Sequence, residues 1–174
     1  MSAPYRLLEP RERARYWRSF AESAVPGLVT LVLIAATTVP LFATVPVIPD
    51  LALLAVLVWA TFQPGLMPAW LAFLLGAASD LLSALPLGVH ATLLPGVVLF
   101  VRLTARFGPH RYGYDWLFAA AVVFAASFVE WQLLALGGVS GPFAPLAIQA
   151  AITALTYPAV VALFAGIQRR LALV

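Results

Sequence analysis

Cysteine and lysine are both absent from the 174 residues, and histidine occurs only twice. Without cysteine there are no disulfides and no thiolate chemistry, and a metal would have to rely on histidine and carboxylates. Two histidines cannot build a histidine-rich site, so neither a metal nor a cofactor is expected. Charge is also scarce: 10% of residues are charged, against roughly 25% in a soluble domain. No glycine-rich phosphate loop, no HExxH and no serine set beside a histidine and an acid can be found. The polar stretches are too short to house a catalytic domain. These absences predict a protein that is not an enzyme.

Long apolar runs are what the chain does have. Asp50 alone interrupts the uncharged stretch from Ser23 to Ser79, and nothing charged lies between Glu130 and Arg169. With 63% hydrophobic residues and a mean hydropathy of +0.99, such runs predict an all-α polytopic membrane protein. Six helices are expected, at about 24–45, 50–63, 66–82, 87–103, 116–136 and 146–167. The second and third are short for a hydrocarbon core of roughly 30 Å, whether as tilted spans or as a re-entrant hairpin. Pro26 suits a first helical turn. Thr30 and its fellow threonines can turn their hydroxyls to their own backbone or to a neighbour. Asp50, after the turn Pro46-Val-Ile-Pro49, is placed to cap the second helix. The domain reading is a tail at 1–22, one transmembrane domain at 23–168 and a second tail at 169–174.

The ten arginines sort by side. Five precede the first span, three lie between the fourth and fifth, and two follow the sixth. Six crossings put all ten on one face, so the positive-inside rule places both termini in the cytoplasm. The first 22 residues do not read as a signal peptide, because the apolar run after them is too long for one. Arg11, Arg13, Arg15 and Arg18 in the tail, and Arg102, Arg106 and Arg111 in the fourth connection, are the candidates for anionic lipid or cytoplasmic partners. The basic balance is explained by topology, and nucleic acid is not expected as a partner.

On that topology Asp80, His90, Glu130 and Gln149 lie at similar depth in the outer half, brought there by four different helices. Ionisable groups at that depth must face a cavity, a partner or the interface. Asp80 is expected to satisfy the amides of the turn that follows it or to hold His90. Glu130 needs a donor, with Gln149, His90 or another subunit as candidates. Gly88, Thr92 and Gly96 form a small-residue face, and Ala72 and Gly76 another, either of which suits close contact within the bundle or with a partner's helix.

The 60–103 region resembles the rod shape-determining protein MreD family. The residues that carry the resemblance are Pro64, Gly76-Ala-Ala-Ser-Asp80 and Pro86-Leu87-Gly88, followed by His90-Ala91. It implies a multi-pass protein of the bacterial inner membrane, working in the elongation machinery that controls cell shape and peptidoglycan synthesis. The implied partners are an MreC-like single-span protein, with a RodA-type glycosyltransferase, a class B penicillin-binding protein and MreB in a larger complex. The implied role is non-catalytic. The family fold is similar to that of the substrate-binding S components of energy-coupling factor transporters, so the alternative is a vitamin-binding membrane subunit.

Overall fold

Local sequence rules set the helix ends. The computed structural model describes residues 25–36, 48–83, 85–105, 112–139 and 141–171. They form six helices: α1 (Val25–Ala36), α2 (Leu51–Phe62), α3 (Ala69–Leu82), α4 (Val89–Thr104), α5 (Tyr112–Leu136) and α6 (Ala144–Leu171). The fold is all-α, as expected. Pro26 falls in the first turn of α1, where its missing N–H removes no helical bond. The remainder of the expected first span lies outside the described residues.

Asp50 caps α2: its Oδ1 accepts from the Leu53 amide at 2.9 Å. Pro68, in extended conformation, precedes α3. Gly88, at φ 111°, precedes α4 in a left-handed conformation that favours glycine. It is therefore the cap of that helix rather than the first member of a small-residue helical face. α4 and α6 run on through Pro95 and Pro158.

One helix is apolar on every side and buried on every side. Ala52 to Ala60 of α2 are all buried, the pattern of a helix surrounded by others. It packs against α3, α4 and α6, with Trp59 edge-on to Phe164 at 4.7 Å and Phe62 5.9 Å from the same ring. By contrast α5 and α6 turn large apolar side chains outward, among them Leu117, Phe124, Phe128, Leu155 and Leu163. α1 lends the core a single stripe, Pro26, Thr30 and Ile34 at four-residue spacing. The buried Thr30 hydroxyl finds no hydrogen-bond partner among the described residues, contrary to the expectation for it; Thr37, Thr38 and Thr44 lie outside them.

From α2 to α6, successive helices run antiparallel. The start of α2, the end of α3, the start of α4 and the early turns of α6 share one end, as the Asp80–His90 and Asp50–Thr153 hydrogen bonds require. At the other end, Arg102 Nη2 near the close of α4 donates to the carbonyls of Pro64 (2.6 Å) and Met67 (3.1 Å) in the α2–α3 linker.

Helix lengths differ sharply. At 1.5 Å per residue, the 12, 14 and 16 residues of α2, α3 and α4 reach about 18, 21 and 24 Å, whereas the 25 and 28 of α5 and α6 reach about 37 and 42 Å. The fourth helix is thus short like the second and third. Trp116–Leu136 and Ala144–Gly166 are long and apolar enough to cross a membrane. The α2–α4 part of the bundle is thinner than the α5–α6 part, which leaves a recess at one end.

Candidate functional site: a carboxylate–histidine recess

The recess is built from the ends of the short helices against the side of the long pair. α5 continues six residues past Glu130, about 9 Å, and α6 begins nine residues before Thr153, about 13 Å. Asp50, His90 and Glu130 lie below those ends and line a cavity of about 380 Å³, with Ser79, Ser83 and Gln149 beside them.

Asp80 organises the floor. Its carboxylate is fully buried. Oδ1 accepts from the His90 amide (2.8 Å) and lies 2.9 Å from His90 Nδ1. Oδ2 accepts from the amides of Gly88 (2.9 Å) and Ala91 (3.2 Å). The first amides of a helix have no partner within it and carry the positive end of its dipole, so a carboxylate there is doubly favoured. Asp80 thus caps α4 from the last turn of α3, and does both things expected of it. The helices must approach closely for this reach. Gly76 makes that possible: a Cβ there would overlap the His90 carbonyl.

The ring of His90 points its second nitrogen into the recess. Nε2 lies 3.8 Å from Asp50 Oδ2 and 4.0 Å from Glu130 Oε1, beyond hydrogen-bonding distance. One ligand atom from each of Asp50, His90 and Glu130 falls within 4.8 Å of the others. Asp50 is also tied to α6, its amide donating to Thr153 Oγ1 at 2.9 Å.

Four of the sequence candidates therefore converge: Asp80, His90, Glu130 and Gln149. Glu130 meets His90, and it makes no hydrogen bond to Gln149. Asp50, read as a helix cap alone, belongs to the cluster as well, and Thr153 holds it there. Pro86 and Gly88 shape the turn between α3 and α4. Thr92 and Gly96 lie elsewhere: with Val97, Phe100, Ala125 and Val129 they line an apolar groove of about 440 Å³ between α4 and α5. Gly76 and Ala72 are buried within the fold, and Gly76 serves contact inside the bundle. Arg102 holds the α2–α3 linker. The signal for that was present in Pro64 and Pro68, which break the backbone pattern and leave carbonyls to be satisfied. Arg11, Arg13, Arg15, Arg18, Arg106 and Arg111 lie outside the described residues.

Two helices long and apolar enough to cross a membrane lie beside a wholly apolar central one, with ionisable groups gathered in a recess, a pattern that fits a helical membrane protein. The chain belongs to the rod shape-determining protein MreD family, whose model matches residues 23–165. It is accordingly a non-catalytic membrane protein. Neither a curated protein nor a solved structure matches it.

Proposed function

We propose that the protein is an inner-membrane scaffold of the cell-elongation complex that docks the transmembrane helix of an MreC-like partner. The family match over residues 23–165 is the observation that carries this reading. Six crossings with both termini cytoplasmic fit the antiparallel order from α2 to α6 and the one-sided arginines. The single membrane domain extends over 23–168, flanked by the two short tails. The docking surface is the α4–α5 groove, where Thr92 and Gly96 leave room for a helix and the lining is apolar. Bound there, the partner's periplasmic part is held beside a RodA-type glycosyltransferase and a class B penicillin-binding protein, with MreB on the cytoplasmic side. The arginine-rich tail and the connection containing Arg106 and Arg111 contact anionic lipid.

The groove offers a clean test, because a Cβ at Gly96 meets nothing within 4 Å. Gly96→Leu should leave thermal stability unchanged while lowering recovery of the single-span partner in a nanodisc pull-down by about tenfold, the equivalent of about 1.4 kcal/mol. Full recovery of the partner with a folded Gly96→Leu protein refutes docking in this groove. The recess, with its polar lining, favours a second reading, a ligand-binding subunit of the energy-coupling factor type. Recovery of an ATPase pair together with a bound vitamin would establish that one instead.

A further inference from the structure

The recess holds three carboxylates and one imidazole, with no cationic side chain beside them among the described residues. Arg102, the only arginine whose side chain is described, lies twelve residues along α4 from His90, about 18 Å away. Asp80 is already satisfied by three amides and the His90 ring. An ionised carboxylate only accepts, so the Nδ1 that faces it carries a hydrogen. The ring is thereby fixed in rotation and in tautomer, and Nε2 is turned towards Asp50 Oδ2 and Glu130 Oε1.

That nitrogen is unusual. The His90 side chain is only 7% exposed, yet its Nε2 makes no hydrogen bond. A lone pair directed between two carboxylate oxygens in a low-dielectric setting is repulsive unless the ring takes up a second proton or a metal cation joins the three groups. The spare oxygens agree. Asp50 uses Oδ1 to cap α2 and leaves Oδ2 facing the imidazole, and the Glu130 carboxylate accepts no hydrogen bond among the described residues.

We propose that Asp50 Oδ2, His90 Nε2 and Glu130 Oε1 form a binding site for one divalent transition-metal cation of the Zn²⁺ class. The donor set, one imidazole and two carboxylates, suits a borderline cation better than a hard one such as Mg²⁺. At metal–ligand distances of about 2.1 Å, tetrahedral ligands sit about 3.4 Å apart. The three atoms already lie within 4.8 Å of one another. Rotation of the two partly exposed carboxylates closes the difference, and the recess has space for water in the fourth position. Asp80 is the positioning residue: a carboxylate on the far nitrogen of a ligating histidine sets its tautomer and raises its basicity. The sequence offered two histidines and so pointed away from a metal. One histidine suffices where two carboxylates from other helices meet it. The cation joins the starts of α2 and α4 to the side of α5, and this holds whether or not the α4–α5 groove docks a partner.

The test uses the full chain in nanodiscs, stripped with chelator and titrated with Zn²⁺, with Co²⁺ as an optical stand-in. One equivalent should bind, raise the thermal midpoint, and with Co²⁺ give visible ligand-field bands. Glu130→Gln preserves size and removes one ligand, so it should weaken binding at least tenfold and abolish the bands while the protein remains folded. Asp50→Asn keeps an oxygen for the α2 cap and should behave alike. A folded wild-type protein that binds no Zn²⁺ at micromolar concentrations overturns the proposal, and then the imidazole is simply protonated between its carboxylates. Binding that survives unchanged in both variants also overturns it, because the cation then sits elsewhere.

Discussion

The α3–α4 and α5–α6 hairpins are held together by different means. In α3–α4 the contact is backbone against backbone: Gly76 lies on the His90 carbonyl, and Asp80 grips the first amides of α4. In α5–α6 the helices are joined through large side chains. Trp116 Nε1 donates to the Ala154 carbonyl and Trp131 Nε1 to that of Gly141, both at 2.9 Å. Phe128, Trp131 and Phe143 cluster at the turn, with centroids about 6 Å apart. A backbone contact has no freedom to adjust, whereas long side chains can repack around a change. One hairpin fixes geometry, and the other supplies a broad apolar surface.

That contrast can be broken at three places. The largest effect is expected at Gly76→Ala. Its new methyl meets backbone, so one helix must move; a loss of about 3 kcal/mol is expected, seen as a large drop in the thermal midpoint in detergent. An unchanged midpoint would mean that the α3–α4 spacing is not set by this glycine. Asp80→Asn comes next. The amide NH₂ cannot accept, so buried donors at the start of α4 lose a partner, at a cost of about 2–3 kcal/mol. Faster exchange of the Gly88, His90 and Ala91 amides would locate the damage, and unaltered protection would show that another group caps α4. Trp131→Phe should be mildest. Its indole bond is exposed, and loss of it costs about 0.5–1 kcal/mol; a greater loss would mean that the second hairpin is as rigid as the first.

Much of this is legible in the sequence. Uncharged runs placed α2 to α6 to within about four residues of where they lie, because hydrocarbon tolerates few charges and a helix satisfies its own backbone. The Asp80–His90 link could be read as well, since ten residues around a Pro-Leu-Gly turn leave few other places for either group. Asp50 shows where such reading stops. Its capping role follows from local sequence, but its spare oxygen meets Glu130 only because α2 lies between α4 and α6. A uniformly apolar helix carries no stripe to say which neighbour covers which side. Gly76 was ambiguous for a related reason: a small residue marks close approach without naming the helix that approaches. Arg102 was assigned to lipid or partners by the sign of its charge, yet it is the linker carbonyls of Pro64 and Met67 that it holds.

The buried central helix also bears on how the protein is made. Phe164, which packs on Trp59 and Phe62, is synthesised about 100 residues after them. At about 5–20 residues per second this is a delay of roughly 5–20 s. For that interval a 12-residue apolar segment, shorter than the membrane is thick, must wait with one side uncovered. The last of the described helices, α6, is the one that closes the core, so truncations or stalls within it should expose the centre of the bundle to quality-control proteases.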